Sequence, residues 1–224
     1  AGLGSTGAAG GMFGQAANLL MFHPPRHTHM RKIVAQLITP QLMRAMRDQV
    51  RAQVIDLLQP FEGEKQMDLT QDFAEPLPSR VIADLLGIPR EDAPVLMRAV
   101  DKLADYGPGN IEANTLEALA ELRDYYASYF RHRSGRPAGD DIVWHLIEST
   151  RTGVLSQAEA LGIAILVTIA GGETTTKMIG NLAVLLEDHP DQRTQLVASP
   201  DLIRNAIEEG LRYNSPTHML TRTA

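Results

Sequence analysis

The sequence predicts a mainly helical protein, and three observations carry that prediction. Apolar residues recur at helical spacing over most of the chain from about Arg26 onward. Start and stop signals punctuate them into segments of roughly ten to thirty residues. One stretch, Gln157 to Glu187, is apolar enough to read as a single, mostly buried helix of roughly 45 Å, long enough to cross a whole domain.

Residues 1–19 are Gly/Ala-rich, with six glycines in the first 14 positions, and are expected to form a flexible loop. Phe22-His23-Pro24-Pro25 then opens a helix from Arg26 to about Leu37, proline being favoured in a first turn. Thr39-Pro40 caps the next helix, whose apolar positions from Leu42 to Leu58 hold a period near 3.6. Asp68 to Leu86 reads as helical in spite of Pro76 and Pro78, and Gly87-Ile88-Pro89 ends it. Glu91 to Ala104, Asn110 to Arg133, and a short helix begun by Asp140-Asp141 and ending near Thr150 follow, the acids standing at the favourable end of the helix dipole.

The long helix has marked ends, because Ser156 with Glu159 three residues on forms a capping box and His189-Pro190 stops it. Asp191 to Ala198 and a last helix opened by Pro200-Asp201 and ending near Arg212 complete the helical part. Asn214-Ser215-Pro216 is a turn, and Met219 to Thr223 has the look of a strand. No internal repeat occurs, so residues 1–224 are read as one domain; the chain starts without methionine and ends in that extended run, so both termini look like cuts.

Composition narrows the function. A hydrophobic content of 44% over 224 residues can bury a sizeable core. The net charge of −6 and a pI near 5.6 argue against nucleic-acid binding. The absence of cysteine excludes disulfides, thiolate metal sites and a cysteine nucleophile within these residues, and fits a reducing cytoplasm. No run of eighteen uninterrupted apolar residues marks a membrane span, and no signal peptide is visible.

The middle of the long helix is unusual. Leu161 to Ala170 lead into Gly171-Gly172-Glu173 and three threonines before apolar character resumes at Met178. Two adjacent glycines cost about 1 kcal/mol each against alanine in a helix interior. One explanation is a kink, aided by threonine hydroxyls that bond back to the preceding turn, with Glu173 and Lys177 as an ordinary i,i+4 pair. The other is a ligand notch: Ala170, Gly171 and Thr174 share one face, with a hydroxyl beside a place that lacks bulky side chains.

His27 and Arg31 lie at i and i+4 on the first helix, and Arg31 has no acid three or four residues away, which points to an external anion. A metal site from His23, His27 and His29 is poor, because Pro24-Pro25 interrupts the helical spacing. Glu209 and Arg212 stand at i and i+3, where spacing alone suggests a modest surface ion pair.

Taken in order, His27-Thr28-His29-Met30-Arg31, Ala170-Gly171-Gly172-Glu173-Thr174-Thr175, and Glu209-Gly210-Leu211-Arg212 followed by Arg222 resemble the cytochrome P-450 family, in particular its soluble bacterial members. They are similar to that family's H-T-x-x-R segment of the C helix, A-G-x-E-T-T of the I helix and E-x-x-R of the K helix. Phe73 to Pro78 and Leu85 to Pro89 are similar too, and the resemblance runs from about Leu20 to the end.

It implies an incomplete P-450-like helical fold, from the B–C loop to the K helix. It further implies a haem-thiolate monooxygenase that activates dioxygen to hydroxylate a small organic substrate. Haem b would be the cofactor, with electrons from NAD(P)H through a ferredoxin-type partner docking near Arg26 and Lys32. By the same resemblance His27, Arg31 and Arg222 would bind haem propionates. Glu173 and Thr174 would be the catalytic acid and alcohol, and Ala170, Gly171 and Gly172 would border the haem and dioxygen. Val167 and Ala170 would line the substrate pocket, with residues 12–20 and 106–111 as further candidate contacts. Glu209 and Arg212 would form a buried structural pair.

The family's iron ligand is a cysteine, which these residues lack. The competing expectation is therefore a truncated, inactive helical protein that binds a ligand or partner.

Overall fold

The computed structural model describes residues 19, 22–104 and 111–218. Ten α-helices run in order through them: α1 (Arg26–Leu37), α2 (Pro40–Ala45), α3 (Arg47–Leu58), α4 (Pro76–Leu86), α5 (Ala93–Ala104), α6 (Ile111–Ser134), α7 (Ile142–Arg151), α8 (Gln157–Asp188), α9 (Pro190–Ala198) and α10 (Ile203–Tyr213), with a short π-helix at Leu69–Ala74 between α3 and α4. Two single 3-10 turns, Gln59–Phe61 and Pro200–Leu202, join them, and no strand occurs among the described residues. The strand expected at 219–223 lies outside them, as does all of the expected 1–19 loop except Leu19, which packs against the core.

Local chemistry accounts for the helix ends. Thr39 accepts the Leu42 amide at 3.1 Å and Asp141 accepts that of Trp144 at 2.7 Å, each satisfying an orphan donor of a first turn. At α8 the capping box forms in full, with Ser156 Oγ accepting from the Glu159 amide and Glu159 accepting the Ser156 amide. Gly87 closes α4 with φ of 73°. A Cβ there would stand 2.3 Å from Cγ of Asp141, so both backbone and space require glycine.

Two helices differ from the sequence expectation. The segment from Pro40 to Leu58 divides at Met46, which takes φ −75° and ψ −11° between α2 and α3. The segment from Asp68 divides as well: the Asp68 side chain caps a π-helix, and α4 begins only at Pro76. Pro76 and Pro78 remove amide donors from that junction, so a single regular α-helix could not pass through it.

α8 is the axis of the fold, with α4, α5, α6, α7, α9, α10 and the π-helix all packed on it. It runs unbroken for 32 residues, and from Ala160 to Thr168 its side chains are almost all buried. By length and apolar composition it would also qualify to cross a membrane, but 56% of the relevant window is buried inside the protein, as in a core helix. Three neighbouring tyrosines of α6 tie the core together. Tyr126 Oη shares a 2.5 Å hydrogen bond with Thr168 Oγ1 of α8, Tyr125 donates to Asp92 at 2.7 Å, and Tyr129 donates to the Gly87 carbonyl. α1 docks through buried Met30 and Ile33, and through Arg26, which forms an ion pair with Glu159 of the α8 capping box.

Candidate functional site

Successive residues of an α-helix turn by about 100°, so the middle of α8 can be read face by face. One side is packed. A Cβ on Gly171 would stand 2.2 Å from Ile82 Cδ1 of α4, and one on Gly172 would stand 2.9 Å from Met97 Sδ of α5. The Thr176 hydroxyl reaches the Ala74 carbonyl of the π-helix. The other side carries Ala170, which is exposed, with Glu173 and Thr174 half-buried and Lys177 exposed.

This corrects the expected notch. Gly171 does not share the open face of Ala170 and Thr174; it and Gly172 are small because α4 and α5 cross α8 there. Val167 is 9% exposed and packs in the core. What remains open is the strip of Ala170 and Thr174, one turn apart. Thr174 Oγ1 donates to the Ala170 carbonyl at 2.7 Å, so its proton is committed to the helix while its oxygen remains free to accept.

Glu173 forms the i,i+4 pair with Lys177. Across the crossing with α5, burial and then the Glu173 carboxylate push Asp101 above the usual carboxylate range. Asp101 was not expected at the site. Nothing local in its sequence marks it, because its relation to Glu173 exists only through the packing of two helices about seventy positions apart.

On α1, His27 is half-buried and Arg31 exposed, and among the described residues no carboxylate pairs with Arg31. Arg26, expected on a docking patch with Lys32, is instead joined to Glu159, whose side chain is only 7% exposed. Arg222 lies outside the described residues, as do the candidate contacts at 106–110 and, Leu19 apart, at 12–20. Among the described residues no group of three metal-ligating side chains could hold a metal ion.

Glu209 and Arg212 meet through two 2.7 Å hydrogen bonds, and the Arg212 guanidinium holds the Glu209 carboxyl below its ordinary value. The pair was expected to be buried. It is exposed, with side chains 59% and 68% accessible, because α10 touches the fold mainly around Gly210 and leaves its other faces uncovered. Ile203, Ile207, Leu211 and Tyr213 are exposed on the same helix. Between α10, α9 and the end of α8 lies a 490 Å³ groove bordered by Leu182, Leu186, Leu196 and Tyr213, and a 640 Å³ groove separates α1 and α2 from α7. Neither is bordered by Ala170 or Thr174.

No protein-family model matches the chain. Individual proteins do. It is 34% identical over 204 residues to the polyketide biosynthesis cytochrome P450 PksS of Bacillus subtilis, covering 91% of this chain and 50% of that protein. With the biotin biosynthesis cytochrome P450 of the same organism it shares 34% identity over 216 residues, covering 92% and 53%. Its fold matches the crystal structure of CYP109E1 from Bacillus megaterium in complex with testosterone, with a TM-score of 0.86 at 32% identity over 93% of this chain and 56% of that one. The chain therefore spans about half the length of the curated relatives it matches. Over that stretch, sequence and helical fold together place it in the cytochrome P450 family.

Proposed function

We propose that these residues form the oxygen-activating side of a haem-thiolate monooxygenase that oxidises a small organic molecule. The observation that carries this reading is the open Ala170–Thr174 strip in the middle of an otherwise packed core helix. The chain also offers groups whose chemistry suits haem. Arg31 offers an exposed guanidinium whose fork matches a propionate carboxylate, with His27 one turn before it and Arg222 as the proposed partner of the other propionate. These 224 residues hold no cysteine to supply the thiolate that such chemistry would require.

Bound haem b supplies an iron centre for reducing and splitting dioxygen with electrons from NAD(P)H, delivered by a ferredoxin-type donor. The chain's own residues handle space and protons. The Ala170 methyl leaves room for a flat ligand, and Thr174 Oγ1, its hydrogen held by the Ala170 carbonyl, accepts a hydrogen bond from a protonated oxygen in that space. Glu173 is the carboxylate that exchanges protons with solvent, and its bond to Lys177 must open before it turns toward Thr174. Lys32, which is exposed, offers positive charge to an acidic electron donor, while Arg26 is partly neutralised by Glu159. The names of the relatives, which include polyketide and biotin biosynthesis, support a small organic substrate. In the longer protein, further chain would cover the Glu209–Arg212 pair and the apolar face of α10.

The test is the ferrous–carbonyl spectrum of the protein encoded by the whole gene. A thiolate-type band supports the reading, and a gene without a downstream cysteine refutes it. In that protein Thr174→Ala should lower product formed per electron consumed more than it weakens substrate binding; unchanged coupling would remove Thr174 from the mechanism. The absent cysteine favours one second reading, a helical ligand- or partner-binding protein with no thiolate-iron chemistry. The same spectrum separates the two.

A further inference from the structure

Ala74 ends the π-helix and is 1% exposed. Four residues on, where a continuing helix would offer the next amide donor, stands Pro78, which has none. The following amide, that of Ser79, turns to Glu75 instead, at 3.4 Å. A buried carbonyl without a donor is costly, so a replacement is needed.

It comes from 102 residues away. Thr176 Oγ1 of α8 lies 2.9 Å from the Ala74 carbonyl and 3.2 Å from that of Gly172, the self-bond that a helical threonine makes by default. Thr174, two residues earlier and about 200° away around the helix, bonds only its own helix, at the Ala170 carbonyl. One threonine thus faces the open strip and the other faces the packed side directly behind it.

We infer that Thr176 is a positioning residue for the Glu173–Thr174 strip. By replacing the amide that Pro78 lacks, its hydroxyl fixes the rotation and register of α8 against the junction of the π-helix and α4, and thereby keeps Thr174 turned outward. The functional meaning of the strip rests on the proposal above; the clamp itself does not.

The test is amide hydrogen exchange at Glu173 and Thr174 in the 224-residue chain, which requires neither haem nor turnover and so stands or falls separately from the oxygen chemistry. Thr176→Val should speed exchange there by about tenfold or more, as expected when a buried carbonyl loses its donor. Thr176→Ser should restore the slow rate. Adding Pro78→Ala to Thr176→Val should restore it too, because position 78 regains an amide that can reach the Ala74 carbonyl. Unchanged exchange in Thr176→Val, or a double variant no slower than Thr176→Val alone, would overturn the inference. If Thr176→Val does not fold, the double variant must; its failure would be equally decisive.

Discussion

Gly171→Ala places a methyl group where the fold has no space for one, although the helix itself would benefit. In an exposed helix interior, replacing glycine by alanine gains about 1 kcal/mol. At Gly171 the new Cβ would stand 2.2 Å from Ile82 Cδ1 and 2.8 Å from Cγ1. Contacting carbons settle at about 3.5–4.0 Å, so Ile82 or a helix axis must retreat by about 1.3 Å. Rotating Cδ1 away does not suffice, because Cγ1 is also too near and Ile82 is itself in the core.

Overpacking of this kind costs about 1–3 kcal/mol, and with the propensity gain subtracted the net loss is about 0–2 kcal/mol, toward the upper end because two Ile82 atoms are too near. Two neighbours on the same helix are internal controls. At Gly172 the obstacle is the Met97 thioether at 2.9 Å, a flexible chain that can move, so gain and cost nearly cancel. At Gly180 nothing lies within 4 Å, and alanine should stabilise by about 1 kcal/mol. Urea unfolding followed by circular dichroism should rank the variants Gly180→Ala, then Gly172→Ala near the parent, then Gly171→Ala. In an Ile82→Ala background the sign at Gly171 should reverse. A Gly171→Ala protein as stable as Gly180→Ala would show that the two helices do not meet as described.

The remaining predictions concern three other parts of the molecule. Burial pushes the phenol of Tyr126 above its usual range, and those of Tyr125 and Tyr129 follow for the same first cause. The folded state therefore keeps protons that the unfolded state loses near pH 10, so stability is intact below that pH and falls above it, by about 1.4 kcal/mol per pH unit for Tyr126. Tyr126→Phe should flatten the decline in melting temperature between pH 9 and 11; tyrosinate absorbance that titrates fully near pH 10 before unfolding would contradict it. Ser156→Ala removes one half of the α8 capping box and should cost about 1 kcal/mol in urea, and equal stability would mean that the cap is not formed in solution. Arg31→Ala in the protein encoded by the whole gene should lower haem content after purification, and equal content would exclude a propionate contact.

The parts of this fold legible in the sequence are those whose causes are local. Ser156 with Glu159, Thr39 before Pro40, and Asp141 ahead of an apolar run each act within one turn, so composition and spacing reveal them. Glu173 and Lys177 are four residues apart, and their pair was legible for the same reason. The purpose of Gly171 was not, because its reason is Ile82, 89 positions earlier in the chain. Arg26 presents the same difficulty: nothing near it announces that its partner is Glu159, 133 residues on. Such pairings depend on which helices cross, and crossing is decided by the sum of many apolar contacts that no single spacing encodes.

Thr176 belongs with these cases. Its partner is distant, and a helix read straight through Pro76 and Pro78 hid the reason, which is that a proline four residues after Ala74 removes the donor its carbonyl would otherwise use. The deficit at Ala74 emerges only with its burial in the fold. Only a donor from another element can meet it, and a hydroxyl suits the place because it can also fall back on its own helix carbonyl. That fallback makes Thr176 a movable clamp: its loss should loosen the register of α8 near Glu173 and Thr174 before it unfolds the helix. The feature that looked at first like a weakness of α8, two glycines followed by three threonines, is in this respect the means by which a long helix is held from behind while its front stays open.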